Sequence, residues 1–146
     1  MSLKINFNTK QLQEQLQATV EAMHKATRPA AQAGSQLIYD RARSPGYAPV
    51  SEKPHFFTIK GRKYGPFQPG NLRDSVYQVF AQKKSFKDVS TYEVSFNRTK
   101  APYGFMVSNG TSKTTANPFI ARAVVDTRKA VRDAIKERFI AEVNKK

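Results

Sequence analysis

Residues 44–71 limit what this chain can fold into. Pro45, Pro49, Pro54, Pro66 and Pro69 fall there, together with Gly46, Gly61, Gly65 and Gly70. Proline fixes φ and removes a backbone donor, and glycine opens turn conformations, so no long helix can cross this stretch. A connection of this length in a compact domain is usually functional or poorly ordered. Inside it, Phe56, Phe57 and Ile59 on one side and Tyr64 and Phe67 on the other flank Lys60-Gly61-Arg62-Lys63. That pattern predicts an extended loop or hairpin over 44–69 with a basic tip. The aromatic residues would either contact neighbouring chains or form the hairpin's own small core.

The segment before this break reads as helix. Leu3, Ile5 and Phe7 alternate with polar residues, a short period-two strand signal. Asn8 with Gln11 resembles a capping box and predicts a helix start. Leu12, Leu16, Val20 and Met23 follow at helical spacing, and the stripe continues through Thr27, Ala30, Gly34, Leu37 and Ile38 to fade near Ser44. Pro29 predicts either a kink or a division into two successive helices.

The segment after the break is mixed. Residues 75–82 are rich in strand formers, and Tyr92, Val94 and Phe96 alternate with Glu93, Ser95 and Asn97, which predicts an antiparallel pair. A short apolar element runs from Pro102 to a stop at Asn109-Gly110. Asn117 then precedes Pro118, an N-cap followed by proline at the first helical position. Ile120, Val124, Val131, Ile135, Phe139 and Val143 form a last helical stripe, with Phe119 and Ile135 expected on its buried face.

Charge says most about partners. The 146 residues contain 25 Lys and Arg against 11 Asp and Glu, a formal net charge of +14. Such an excess goes beyond what solubility needs and draws the chain to polyanions or acidic protein surfaces. Lys53, Lys60, Arg62, Lys63 and Arg73 fall between Glu52 and Asp74 with no acid among them, and Lys83, Lys84 and Lys87 cluster between the two strands. These eight residues are the candidates for facing DNA or an acidic partner. There is no cysteine, so disulfides and thiolate metal sites are excluded. No apolar run is long enough to span a bilayer and no signal-peptide pattern opens the chain, so no membrane role is expected and synthesis in the cytoplasm is the default.

Catalytic patterns are wanting. His24 and His55 lack metal-ligand spacing, and nothing resembles a nucleophile elbow or a phosphate-cradling loop. Glu93 is the best isolated acid or base, and an exposed strand charge explains it better. The residues thus predict no catalytic site, no cofactor and no metal, and they do not select a small basic nuclease. No helix-turn-helix, zinc-finger or RNA-recognition signature is present, so nucleic-acid contact would be non-specific and salt-sensitive.

Several short motifs occur in a telling order: Arg28-Pro29-Ala30, Ile38-Tyr39-Asp40-Arg41-Ala42-Arg43, Ala48-Pro49-Val50-Ser51, Gly70-Asn71-Leu72-Arg73-Asp74-Ser75, Ala101-Pro102-Tyr103-Gly104-Phe105-Met106-Val107, Asn109-Gly110-Thr111 and Asn117-Pro118-Phe119-Ile120. In this order the chain resembles the tail-completion and head–tail joining proteins of long-tailed phages, also described as prophage tail components. It departs from their pattern at Ser108 and Asn109, where an acidic and an aromatic residue are usual, and at Ala121-Arg122-Ala123, where a proline tends to occur. The resemblance implies a non-enzymatic virion subunit of the neck, of stopper, tail-terminator or completion type. It would form a homo-oligomeric ring, hexameric by expectation, against neighbouring neck and tail proteins and the packaged double-stranded DNA.

Pattern and resemblance converge on one α+β domain over 1–146: a small antiparallel sheet packed against a long, kinked N-terminal helix and a long C-terminal helix. The alternative function is that of a basic, non-specific DNA-binding accessory protein outside the virion.

Overall fold

The computed structural model describes residues 2–145. Helix α1 (Thr9–Arg43) is followed by strands β1 (His55–Ile59) and β2 (Arg62–Phe67), a single-turn helix α2 (Asn71–Asp74), strand β3 (Val76–Phe80), a 3-10 turn at Gln82–Lys84, strand β4 (Tyr92–Phe96), a short helix α3 (Gly104–Asn109) and helix α4 (Phe119–Val143). The fold is α+β, as the pattern predicts.

Helix α1 begins where its cap dictates. The Asn8 side-chain oxygen accepts from the backbone N–H of Lys10 at 3.1 Å and of Gln11 at 3.4 Å, satisfying two donors that lack intrahelical partners. The helix runs unbroken through Pro29, so the division into two helices does not occur. Ala26 and Ala30 beside the proline are buried, and packing of that face holds the turn that the missing donor weakens. The alternation at Leu3, Ile5 and Phe7 does not give a strand: the residues are irregular and exposed, since no neighbouring strand offers them a ladder.

Helices α1 and α4 are packed antiparallel. Ala42 clusters with Phe119 and Ala123 at one end, while further along Gly34 faces Val131 and Ile135. The contact is close because α1 brings small residues to it: Ala26, Ala30, Gly34 and Ala42 are all buried. The buried line of α4 is Phe119, Ala123 and Thr127. This corrects the expectation for the last stripe: Phe119 is fully buried, but Val124 and Ile135 are 39% and 38% exposed. Small residues of α1 let the helices approach, and Ile135 lies over Gly34 with part of its side chain in solvent.

The strands form two separate two-stranded sheets. In the first, Lys60 (φ 48°) and Gly61 (φ 77°) make the two-residue connection between β1 and β2, the positive-φ pair that matches strand twist in tight hairpins. In the second, β3 and β4 pair antiparallel with Val76 opposite Phe96, Gln78 opposite Val94 and Phe80 opposite Tyr92. That face lies on α1: Gln78 donates to the Gln32 carbonyl at 3.3 Å, and the Arg28 guanidinium sits 4.2 Å from the centre of the Phe80 ring. Tyr77 and Val79, on the other face, are exposed.

The core joins these parts. Leu72, Val76, Ala101, Tyr103, Phe119 and Ala123 are buried together with Ala42 and Ala48. Helix α3 stops at Gly110, whose N–H donates to the Met106 carbonyl at 2.8 Å.

Candidate interaction surface

The proline- and glycine-rich segment is fastened at its start. The guanidinium groups of Arg41 and Arg122 lie 5.4 and 5.2 Å from the centre of the Tyr47 ring. The Tyr47 hydroxyl donates to Asp126, which pushes the phenol pKa above its ordinary value. Arg122 also donates to the Gly46 carbonyl at 3.3 Å. Asn117 completes the fastening: its amide donates to the Tyr47 carbonyl at 3.2 Å and its oxygen accepts from Arg122 at 2.9 Å. This replaces the predicted capping role of Asn117, because α4 starts at Phe119 with no side-chain cap.

The aromatic residues of the hairpin mostly turn inward. Phe57 stacks on Tyr64 and Phe67 with ring centres 5.2 and 5.4 Å apart. Phe67 meets buried Tyr103 edge-on at 5.1 Å, and His55 does so at 4.6 Å. Burial of Tyr103 raises its phenol pKa. Ile59 is half-buried and only Phe56 is well exposed, with the Lys63 ammonium 4.1 Å from its ring centre. Of the five candidate contact residues, Phe57, Tyr64 and Phe67 build the hairpin's own core and Phe56 faces solvent.

Beside this stack lies a mostly apolar cleft of about 470 Å³, lined by Pro49, Val50, His55, Phe57, Tyr103 and Met106 among others, with Lys113 at its edge. His55 Nδ1 and the Ser51 hydroxyl lie 3.3 Å apart at its wall. Sequence reasoning missed the cleft, because it arises between the loop after α1, the hairpin and α3. The Pro49-Val50-Ser51 and Tyr103–Val107 motifs are its only signal.

The eight basic candidates divide among elements. Lys53, Lys60, Arg62 and Lys63 are exposed on and before the β1–β2 hairpin, and the Arg62 guanidinium lies 5.7 Å from the Tyr64 ring centre. Arg73 instead pairs with Asp74 at 2.9 Å. Hydrogen bonding by Arg73 holds the Asp74 carboxyl below its ordinary pKa, and Arg43 reinforces it from 3.5 Å. Lys83, Lys84 and Lys87 are exposed between β3 and β4. There Lys84 pairs with Glu93, which raises the lysine pKa. The hairpin and the β3–β4 connection therefore offer two basic groups on separate sheets.

Glu93 is bound to Lys84 on the surface. His24 Nδ1 is buried without a hydrogen-bond partner. Among the described residues no group of His, Cys, Asp or Glu is placed to hold a metal ion, and no helix is long and apolar enough to cross a membrane. Comparison with family models, curated proteins and solved structures finds no match to this chain.

Proposed function

We propose that this protein is a structural subunit of the head–tail junction of a long-tailed phage, contributing surfaces rather than chemistry. The observation that carries the reading is the order of the motifs. Gly70–Ser75 spans α2, Ala101–Val107 leads into α3, Asn109-Gly110-Thr111 ends it, and Asn117–Ile120 opens α4. Leu72, Tyr103 and Phe119 from three of these motifs meet in one core. The subunit works in a closed ring in the virion, with residues 44–69 reaching a neighbouring subunit or an adjoining ring.

The test is genetic. In a null mutant, capsid shells and tail tubes still assemble but few are stably joined, as counted by electron microscopy. Glu93→Ala, His24→Ala and His55→Ala each leave infectivity near the wild-type level. Normal numbers of infectious virions without the protein refute the junction role. A null phenotype from Glu93→Ala in a folded protein reopens an enzymatic one.

The charge of +14 favours a second reading, a basic accessory protein that binds DNA without sequence preference. A fixed number of copies in purified particles supports the junction reading, and absence from particles supports the accessory one. In either case binding of the free protein to DNA weakens steeply with salt.

A further inference from the structure

Helix α1 is longer than the body it belongs to. Every residue from Ser2 to Glu21 is exposed, and Ala22 is the first to be partly covered. The helical part of this segment, thirteen residues from Thr9 to Glu21, extends about 20 Å at 1.5 Å per residue. It is not uniformly polar. Leu12, Leu16, Val20 and Met23 are 42–57% exposed and fall within about 80° of one another around the helix axis. Lys10, Glu14 and Glu21 lie on the opposite side, and Gln13, Gln15 and Thr19 flank the stripe. Ahead of the helix, Leu3, Ile5 and Phe7 are 73–85% exposed. A helix with a one-sided apolar stripe is built to be covered along that side.

Charge identifies the cover. Residues 1–21 contain Lys4, Lys10, Glu14 and Glu21 and are neutral, so the entire net charge of +14 resides in residues 22–146. In free solution, away from any anion that would neutralise it, a basic body repels its own copies and leaves the projecting helix as the place where two copies meet without repulsion. A neutral polar face gives that helix no attraction to an anionic lipid surface or to nucleic acid. Orientation follows from the same distribution. Parallel pairing sets two bodies of +14 side by side. Antiparallel pairing puts them at opposite ends of the helix pair, about two Debye lengths apart at physiological salt, and opposes the helix dipoles favourably.

We propose that the free protein forms a two-fold dimer through its projecting helices, packed antiparallel about Leu16. In that register Leu16 meets Leu16 of the second copy, and Leu12 meets Val20. The seven exposed apolar side chains of each copy bring the area covered to the order of 1,000 Å², the lower range for a specific interface. The dimer is therefore weak, with a Kd of about 1–100 µM. A two-fold contact closes on itself, whereas a single polar ring needs a heterologous one. The dimer is thus a form of the free protein and is independent of the junction reading.

The chain has no cysteine, so one introduced cysteine is unique. In full-length protein under mild oxidation, Leu16→Cys forms a covalent dimer. Leu12→Cys alone does not, but Leu12→Cys mixed with Val20→Cys does. Sedimentation equilibrium shows monomer and dimer for the wild type, and Leu16→Glu raises the Kd at least about tenfold, with thermal unfolding unchanged at concentrations low enough for both proteins to be monomeric. The proposal is overturned by a wild-type protein that stays monomeric at about 1 mM, above the whole expected range of Kd. It is equally overturned by self-cross-linking of Leu12→Cys, which marks parallel pairing, or by a dimer that tolerates Leu16→Glu. None of these failures bears on whether heads and tails join in the null mutant.

Discussion

Gly34→Ala tests the closeness of α1 and α4, and its sign depends on a second residue. In an exposed helix interior, replacing glycine by alanine stabilises by about 0.8–1 kcal/mol. At Gly34 the added Cβ comes within 2.6 and 2.7 Å of the Ile135 Cγ1 and Cδ1 atoms and 3.2 Å of Val131 Cγ1. A β-branched side chain in a helix has essentially one χ1 rotamer, so Ile135 cannot swing aside and the helices must separate. Overpacking of this kind costs about 1–3 kcal/mol. The net effect is a destabilisation of about 1 kcal/mol, or about 3 °C in Tm for a chain of this length. Ile135→Ala removes both of the atoms in collision. In that background Gly34→Ala becomes stabilising by up to about 1 kcal/mol, the helix-propensity gain. The assay is denaturant unfolding of the four proteins of the double-mutant cycle. Equal effects of Gly34→Ala in the two backgrounds, or full stabilisation in the wild type, refute the argument that Ile135 sets the approach of the helices.

Phe119→Ala, at a fully buried side chain, costs about 3–5 kcal/mol in denaturant unfolding, and Ile135→Ala costs less than the 2–5 kcal/mol of a buried isoleucine because it is partly exposed; equal losses would contradict the burial described. Asn117→Ala breaks the fastening of the Tyr47 loop to α4 and lowers stability by about 1–2 kcal/mol, with faster proteolysis within residues 44–51 as the local readout. The Asp74 carboxyl is held below its ordinary pKa chiefly by its hydrogen bond from Arg73. Its small contribution is therefore complete above the ordinary aspartate range near about pH 4 and is lost as pH falls through the depressed value. The Tm difference between wild type and Asp74→Asn stays constant from neutrality to about pH 4 and closes in stronger acid; a difference that closes between about pH 6 and 8 would assign the effect to another group.

What the sequence made legible was local. Asn8 announces the start of α1 and Asn109-Gly110 the end of α3, because caps and stops are chemistry between residues two to four apart. The strands β3 and β4 and the hairpin around Lys60-Gly61 follow from alternation and turn residues in the same way. What depended on distant neighbours was not legible. Leu3, Ile5 and Phe7 have a strand's alternation but no strand beside them. Asn117 carries a cap's residue type, yet Tyr47 and Arg122, brought near by the loop's path, take its hydrogen bonds. The buried line of α4 is Phe119, Ala123 and Thr127 because the small residues of α1 permit a close approach, which no pattern within α4 reveals. The hairpin's aromatic residues stand out in the sequence as a group, but their division into Phe57, Tyr64 and Phe67 inside and Phe56 outside follows from Tyr103, which lies beyond the hairpin.

Only Phe119 and Leu72 among the large side chains are fully buried in the described residues; the rest of the sealed interior is mostly alanine. Alanine removes little apolar surface from water, and hydrophobic stabilisation scales with that surface. A subunit of this kind holds a modest folding free energy alone and gains more from any neighbour that binds only its folded form. On the proposed dimer and junction readings, its melting temperature rises with protein concentration and again on incorporation into a particle. On the same readings, degradation acts on unincorporated subunits first, so supply in excess of demand is removed without a dedicated signal.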